Sequence, residues 1–446
     1  MTFNAKVVQF NTTTATANVA VSSVGFQPSL VFFYGTDMTG STGPGKSAAI
    51  GLGWMVDATH RGCIASTNRD HSDGGPGDKS IIYSTQCYAL ISSSNAAVQN
   101  DGALDFISMD TNGFTVKPTT AFTQNWAVNA LCLGGADLTN VTCGTMTITA
   151  SNGGTQDLTG VGFQPDCLLM FGNVGLVSLA SLTTSTGASL GFSNAVNSGS
   201  TCGIASNGNT DQFGLLRTGS ILTLPRSDAV TERMNLTLTN FLSDGFRVTI
   251  ARSAGSEQPI IGWLALKGLN TYVGTIAAQL STGNFSKTGL SFQPSALVLA
   301  STWSTTVSQT GSATGPINFT LGAATSATSK GTFSFIVSGG AAGDESQALQ
   351  SSAKILYPLS HSVADTFVSN GDMDFVSMDS TGWTLNQVTA APSPNQVIAL
   401  AFGPATGGGG GSIGVSDMWK LLNDNVNFTA TVSNIVGTQI NNIIPR

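Results

Sequence analysis

The sequence predicts an all-β chain of three tandem β-sandwiches, jelly-roll or lectin-like, with a short C-terminal attachment segment. Three observations predict it. The phrase Gly-Phe-Gln-Pro occurs at residues 25–28 and 162–165, and a near-copy, Ser-Phe-Gln-Pro, at residues 291–294. That spacing is a whole domain, far longer than a solenoid unit. Many short apolar runs are separated by Gly, Asn, Asp and Ser, while long helix-forming stretches are absent, as expected of sandwiches or barrels. Finally, charged residues are only 9% and Gly numbers 53 of 446, a composition unlike that of disordered chains. The predicted layout is sandwiches at 1–136, 137–268 and 269–404, a hinge at 405–412, and an attachment segment at 413–446.

Each Phe-Gln-Pro opens an apolar run: Leu30 to Tyr34, Cys167 to Phe171, and Ala296 to Ala300. Proline suits a strand entry because it has no N–H to give to the ladder. Continuous apolar runs of this length indicate strands buried on both faces. A second block follows. Leu52-Gly53-Trp54 matches Leu190-Gly191-Phe192 and the weaker Leu321-Gly322-Ala323. Gly62 to Ser66 reads as a match to Cys202 to Ser206.

The third block alternates apolar and polar residues, turns, and restarts on an aromatic. It runs Leu104 to Asp110 then Gly113-Phe114, Met234 to Leu238 then Gly245-Phe246, and Met373 to Asp379 then Gly382-Trp383. This is a hairpin signature in which Gly is expected to supply positive φ. Each copy closes on one more run: Ala127 to Leu133, Ile260 to Leu266, and Val397 to Phe402.

Charge and composition exclude several function classes. The net charge is −7 and no Lys/Arg cluster tracks along the chain, which argues against nucleic-acid binding. The pI is near 4.8 and the mean hydropathy +0.17. No apolar run approaches the length of a membrane-spanning helix. Met1 to Lys6 lacks the pattern of a secretory leader, so assembly in a cytoplasm is expected and Asn140-Val141-Thr142 carries no glycosylation meaning. The six cysteines stop at Cys202 and do not recur by copy, so they read as buried free thiols without zinc spacing.

Candidate chemistry is sparse. Gly40 to Ser47 matches a P-loop formally, but it lacks the strand-loop-helix context that would cradle phosphates, and the other copies lack it. Asp70 to Asp78 is an acidic Gly-rich loop. It lacks calcium-loop spacing, and only Asp211 and Asp344-Glu345 echo it, so it reads as a solvated turn. Asp105/Asp110 and Asp374/Asp379 recur as carboxylate pairs, with Asn235 standing for the first member in copy two. Turn chemistry explains them more simply than a glycosidase pair. Only His60, His71 and His361 exist, and no serine sits in a nucleophile elbow. No catalytic residue, metal or cofactor is expected. Trp54, Trp303 and Trp383 are the candidates for a glycan platform, whereas Trp126 and Trp263 read as core.

Five consecutive glycines, Gly407 to Gly411, form a hinge. Beyond it stand Met418, Trp419, Leu421, Leu422, Val426 and Phe428, then Val432, Ile435, Val436, Ile440 and Ile443. The spacing near three and four is helical, and Ser416-Asp417 offers a cap. A lone apolar segment needs a docking partner, which points to anchoring or oligomerisation.

The repeated blocks resemble a family of repeats in virion proteins of tailed bacteriophages, whose pattern begins Gly-Phe-Gln-Pro-Asp and later shows a Ser-Asp-Gly-Phe turn. Copy two matches best, at Gly162 to Asp166, Ser243 to Phe246 and Ile260 to Lys267. The resemblance spans about residues 1–404 and implies β-sandwich modules in fibres, tail appendages or capsid decorations, with no catalytic residues. The expectation is a virion structural protein. It would attach to other virion proteins through its C-terminal segment, form a homo-oligomer with a trimer favoured, and present its modules to host-surface glycans. Binding to nucleic acid or membrane is not expected. The alternatives are a secreted or surface carbohydrate-binding adhesin and a glycan depolymerase.

Overall fold

A computed structural model describes residues 2–39, 45–46, 48–68, 79–94, 97–173, 176–181, 185–206, 212–225, 232–252, 258–305, 317–338, 345–361 and 367–405. Contacts divide the chain into Met1–Ala405 and Thr406–Arg446, and only the first contains described residues. The predicted hinge beyond Ala405 and the attachment segment at 413–446, with its apolar residues from Met418 to Ile443, therefore lie outside them. Every regular element among the described residues is a strand.

Copy one contains β1 (Asn4–Asn11), β2 (Val19–Val21), β3 (Leu30–Thr36), β4 (Gly45–Lys46), β5 (Ala48–Met55), β6 (Arg61–Asn68), β7 (Lys79–Tyr83), β8 (Tyr88–Ser94), β9 (Ala97–Asp110), β10 (Gly113–Thr120) and β11 (Ala127–Gly134). Copy two contains β12 (Asn140–Thr147), β13 (Thr155–Thr159), β14 (Cys167–Gly172), β15 (Ser185–Asn194), β16 (Ser198–Ser206), β17 (Gln212–Thr218), β18 (Leu222–Pro225), β19 (Glu232–Leu242), β20 (Gly245–Arg252) and β21 (Ile260–Lys267). Copy three contains β22 (Asn270–Ala277), β23 (Gly283–Lys287), β24 (Ala296–Ser301), β25 (Ile317–Ser326), β26 (Ser329–Ser338), β27 (Glu345–Ser351), β28 (Leu359–His361), β29 (Phe367–Ser369), β30 (Met373–Asp379), β31 (Gly382–Gln387) and β32 (Gln396–Gly403).

Each copy is an antiparallel sandwich. The large sheets run β1-β11-β3-β5-β6-β7, β12-β21-β14-β15-β16-β17 and β22-β32-β24-β25-β26-β27. The small sheets run β2-β10-β9-β8, β13-β20-β19-β18 and β23-β31-β30. In copy three, β28 and β29 pair separately, and β4 of copy one extends the large sheet by pairing with β27.

The apolar runs are buried on both faces, and the alternation explains why. Along β3, Val31 and Phe33 fill the sandwich of copy one, while Leu30, Phe32 and Tyr34 face away from it. Along β14, Leu168 and Met170 point into the copy-two sandwich, and Cys167, Leu169 and Phe171 point out. Along β24, Leu297 and Leu299 point in, and Ala296 and Val298 point out. The outward residues of all three copies meet in one common core. The sequence predicts three sandwiches, each burying its own core; the fold adds a fourth core that they share.

The packing around that shared core is cyclic. Strand β6 of copy one lies against β12, β15 and β21 of copy two. Strands β16 and β17 of copy two lie against β25 and β32 of copy three. Strands β26 and β27 of copy three lie against β3 and β5 of copy one. The same edge of one copy thus meets the same face of the next, and the third contact closes a pseudo-threefold ring of head-to-tail interfaces. Between copies one and two, Trp54 stacks on Phe171 with centroids 4.7 Å apart and planes at 13°, and Phe32 stacks on Phe171 at 5.4 Å. Between copies three and one, Tyr34 donates its hydroxyl to the Gly331 carbonyl at 3.1 Å, and the Val7 amide donates to Ser329 Oγ at 2.9 Å.

Candidate functional site

The repeated motifs cluster at one end of the ring, and their chemistry is structural. In each Phe-Gln-Pro the proline is buried, and the glutamine amide donates to a carbonyl of the hairpin from the small sheet. Gln27 reaches the Met109 carbonyl at 2.8 Å, Gln164 reaches Phe241 at 3.2 Å, and Gln293 reaches Met378 at 3.2 Å. The motif is therefore a clamp between the two sheets of each sandwich.

The shared glycines have a packing cause. A Cβ on Gly53, Gly191 or Gly322 would lie 1.9, 1.6 or 1.8 Å from the carbonyl oxygen of Cys87, Ile221 or Ile355. Those carbonyls belong to the chain approaching from the opposite sheet, so only glycine fits. The hairpin glycines work similarly: on Gly113, Gly245 and Gly382 a Cβ would lie 1.8 to 1.9 Å from a carbonyl of the neighbouring edge strand. Of these three, only Gly245 also has positive φ, at 142°. Close approach, rather than the expected turn dihedral, is the common reason.

Strand register corrects two of the sequence matches. Ile64 pairs opposite Leu52, whereas Ile204 pairs opposite Gly187; the residue opposite Leu190, and so equivalent to Ile64, is Thr201. The Gly62–Ser66 and Cys202–Ser206 likeness is thus out of register. Similarly, Asp105 pairs with Lys117 and Asp374 with Asn386, and the equivalent partner pair in copy two is Thr237 with Thr249. Thr237, not Asn235, replaces the carboxylate. All three hairpins carry a β-bulge at the same place, at Ile107, Thr239 and Val376.

The carboxylate pairs are held by their surroundings. Asp105 pairs with Arg61 Nε at 2.5 Å, and Asp374 pairs with Lys330. Asp110 accepts from Ser108 and Thr115 at 2.7 Å each, and Asp379 accepts from Ser377 and Thr384 at the same distance. Register places Ser198 of copy two where Arg61 and Lys330 stand. Copy two has therefore lost both the cation and the anion, as expected where half-buried charge is tolerated only in pairs.

Trp54 and Trp383 are corrections to the glycan-platform expectation. Both are fully buried at 0% exposure. Trp54 sits in the shared core and Trp383 in the third sandwich, so neither offers a ring face to a ligand. Trp303 is half-buried against the third sandwich, and its backbone adopts φ of 60°, a strained value for a bulky residue. Trp263 is core, as expected, and half-buried Trp126 donates its ring N–H to Asp101 at 2.6 Å.

All six cysteines are buried and none forms a disulfide, and burial pushes the thiols of Cys63, Cys87, Cys132, Cys143 and Cys167 up. Gly45 and Lys46 of the P-loop match form strand β4, and the acidic loop from Asp70 to Asp78 lies outside the described residues. His60 contacts Asp57 in an exposed turn. Among the described residues, no cluster of His, Cys, Asp or Glu is arranged to hold a metal, and no helix is long and apolar enough to cross a membrane.

What sequence reasoning missed is a pair of equivalent grooves at the motif end. In copy two a depression of about 410 Å³ is lined by Gln164, Asp166, Asn194, Val196, Asn240 and Phe241. In copy three, one of about 450 Å³ is lined by Gln293, Ser295, Thr325 and Met378, and by Phe3 and Lys6 of copy one. Register aligns Gln164 with Gln293, Asn194 with Thr325, and Phe241 with Met378. In the copy-two groove Asp166 accepts the Gly268 amide at 2.7 Å, and Asn194 holds its own turn by accepting the Val196 and Asn197 amides. That turn leaves Val196 83% exposed at the lip. Close to the copy-three motif, Asn270 Nδ2 donates to the Pro404 carbonyl at 2.7 Å. The sequence signal was present in Phe-Gln-Pro and the hairpin, but the turn after β15 completes the groove only in three dimensions.

No protein-family model matches the chain, and no curated protein matches it. Among solved structures it aligns with a fructofuranosidase from Schwanniomyces occidentalis complexed with fructose, at 8% identity over 86% of this chain and 99% of that one. The TM-score is 0.12, a value at which the likeness carries no argument.

Proposed function

We propose that this chain is a non-catalytic structural component of a tailed-phage virion, a fibre-like, tail-appendage or capsid-decoration protein. The observation that carries the reading is the closed ring of three copies. What recurs three times is packing hardware: clamp glutamines, close-approach glycines and hairpin bulges. A function spread over such a ring is presentation and attachment, and the apolar residues from Met418 to Ile443 supply the anchor to other virion proteins or sister subunits. The phage resemblance of the repeats points the same way.

The test is a chain ending at Pro404, expressed in a host producing particles that lack the full-length protein. It should fold but fail to join purified particles. Normal incorporation of that truncation removes the anchor from the account.

A second reading, glycan binding, is favoured by the copy-two groove. Amides of Gln164 and Asn240, the Asp166 carboxylate and the Phe241 ring form a donor and acceptor set suited to a neutral sugar. On a glycan array the full chain should bind a defined subset of sugars and lose that signal on Asn240→Ala. Binding unaffected by this change would remove the groove from the reading.

A further inference from the structure

We infer that the seam where copy three closes on copy one holds a buried water molecule. Three side-chain donors at this seam are completely enclosed and have no protein partner: Thr36 Oγ1, Tyr88 OH and Gln350 Nε2. All three residues are 0% exposed. They come from different places, Thr36 from the end of β3, Tyr88 from β8 in the small sheet, and Gln350 from β27 of copy three.

Gly35 brings two of these residues, Tyr88 and Gln350, together. The position a Cβ would occupy on Gly35 lies 3.0 Å from Gln350 Oε1, 3.1 Å from Tyr88 OH and 3.3 Å from the Ala127 carbonyl. A side chain there would crowd the polar groups of Tyr88 and Gln350, whereas Thr36, the next residue along β3, points to the opposite face of the strand. Gln350 Oε1 accepts the Thr36 amide at 3.2 Å, which fixes the carboxamide and leaves its N–H groups unserved. A buried donor without a partner keeps the full penalty of its lost hydration. A water held by several polar partners is the usual remedy in native proteins. It can accept from two of these donors and donate to carbonyl oxygen.

Comparison of the copies supports the same conclusion. Register places Asn173 of copy two at the position of Thr36. At that seam Asn173 Nδ2 reaches across directly, to Ser80 Oγ of copy one and to the Gly187 carbonyl at 2.9 Å. Ser66 Oγ adds a bond to the same carbonyl at 2.7 Å. The longer amide closes the seam with no gap. Threonine is shorter and leaves its hydroxyl orphaned. Thr302, at the same position in copy three, also has a buried Oγ1 without a partner.

The experiment combines a density map of the full chain at a resolution that shows ordered water with thermal unfolding of Tyr88→Phe and Gln350→Leu. The inference expects a solvent peak within hydrogen-bond distance of Tyr88 OH and Gln350 Nε2. It also expects each variant to melt lower, by about 1–3 °C for a lost water-mediated bond. An empty gap in the map overturns it. So does a rise in melting temperature on Tyr88→Phe, because removing a truly unpaired hydroxyl would relieve a penalty. If a variant does not fold, the wild-type map alone decides.

Discussion

Replacing Phe171 with alanine separates a shared core from three independent ones. Phe171 is 0% exposed, yet it points away from the interior of its own sandwich and is covered by Trp54 and Phe32 of copy one. If the copies were merely strung together, this residue would lie on a solvent face. Surface substitutions of that kind change stability by about 0.5 kcal/mol or less. With the ring closed, Phe171→Ala opens a cavity bounded by two aromatic rings. A buried Phe→Ala change costs about 3–5 kcal/mol, and the stacked pairs contribute about 0.5–1.5 kcal/mol of interaction beyond area burial. The assay is urea unfolding followed by tryptophan fluorescence, with the loss read from the midpoint at unchanged slope. A loss below about 1 kcal/mol would refute the shared core at this seam, since no cavity of that kind costs so little.

Three further predictions rest on particular contacts. Gly322→Ala places a Cβ 1.8 Å from the Ile355 carbonyl, so the third sandwich should lose at least about 3 kcal/mol or fail to fold, as read by chemical denaturation. Asp105→Thr strands the Arg61 guanidinium, which is only 15% exposed, and should cost about 1–3 kcal/mol, whereas adding Arg61→Ser, the copy-two pairing, should recover most of it. Additive losses in that double-mutant cycle would show the pair to be uncoupled. Burial pushes the carboxyl of half-buried Asp37 up to about 7, against hydrogen bonding from the Ala49 amide, with the Asp101 charge adding to the rise. The folded state therefore favours the neutral acid. Its contribution is full below the unfolded value near pH ~4 and lost as pH rises through about 7. Melting curves from pH 4 to 8 should flatten in Asp37→Asn, and an unchanged profile would remove Asp37 from the account.

Much of the fold was legible in the sequence because scaffold was copied three times. Phe-Gln-Pro marks the strand entry, and the blocks from Leu104 and Met373 mark the hairpin. The doubly buried runs from Leu30, Cys167 and Ala296 already required a second apolar surface. Which surface covered them was not legible. The partner of Phe171 is Trp54, far away in the chain, and nothing local to either residue announces the other. The same limit misassigned Trp54 and Trp383: an aromatic beside glycine reads equally as platform or as core until the strand facing it is known. Two of the copy alignments slipped for a related reason. Short alternating strands match themselves at several offsets, and only pairing opposite Leu190 or Thr249 fixes the register. The grooves were illegible because segments far apart in the chain, strand residues and turns alike, build each one.

Differential scanning calorimetry of the full chain tests the central claim, that the three copies form one body around a common core. The account predicts a single transition for the ring, with calorimetric and van 't Hoff enthalpies in agreement. Three resolved transitions, or a calorimetric enthalpy about three times the van 't Hoff value, would show that the sandwiches melt independently and that the shared core does not hold them together.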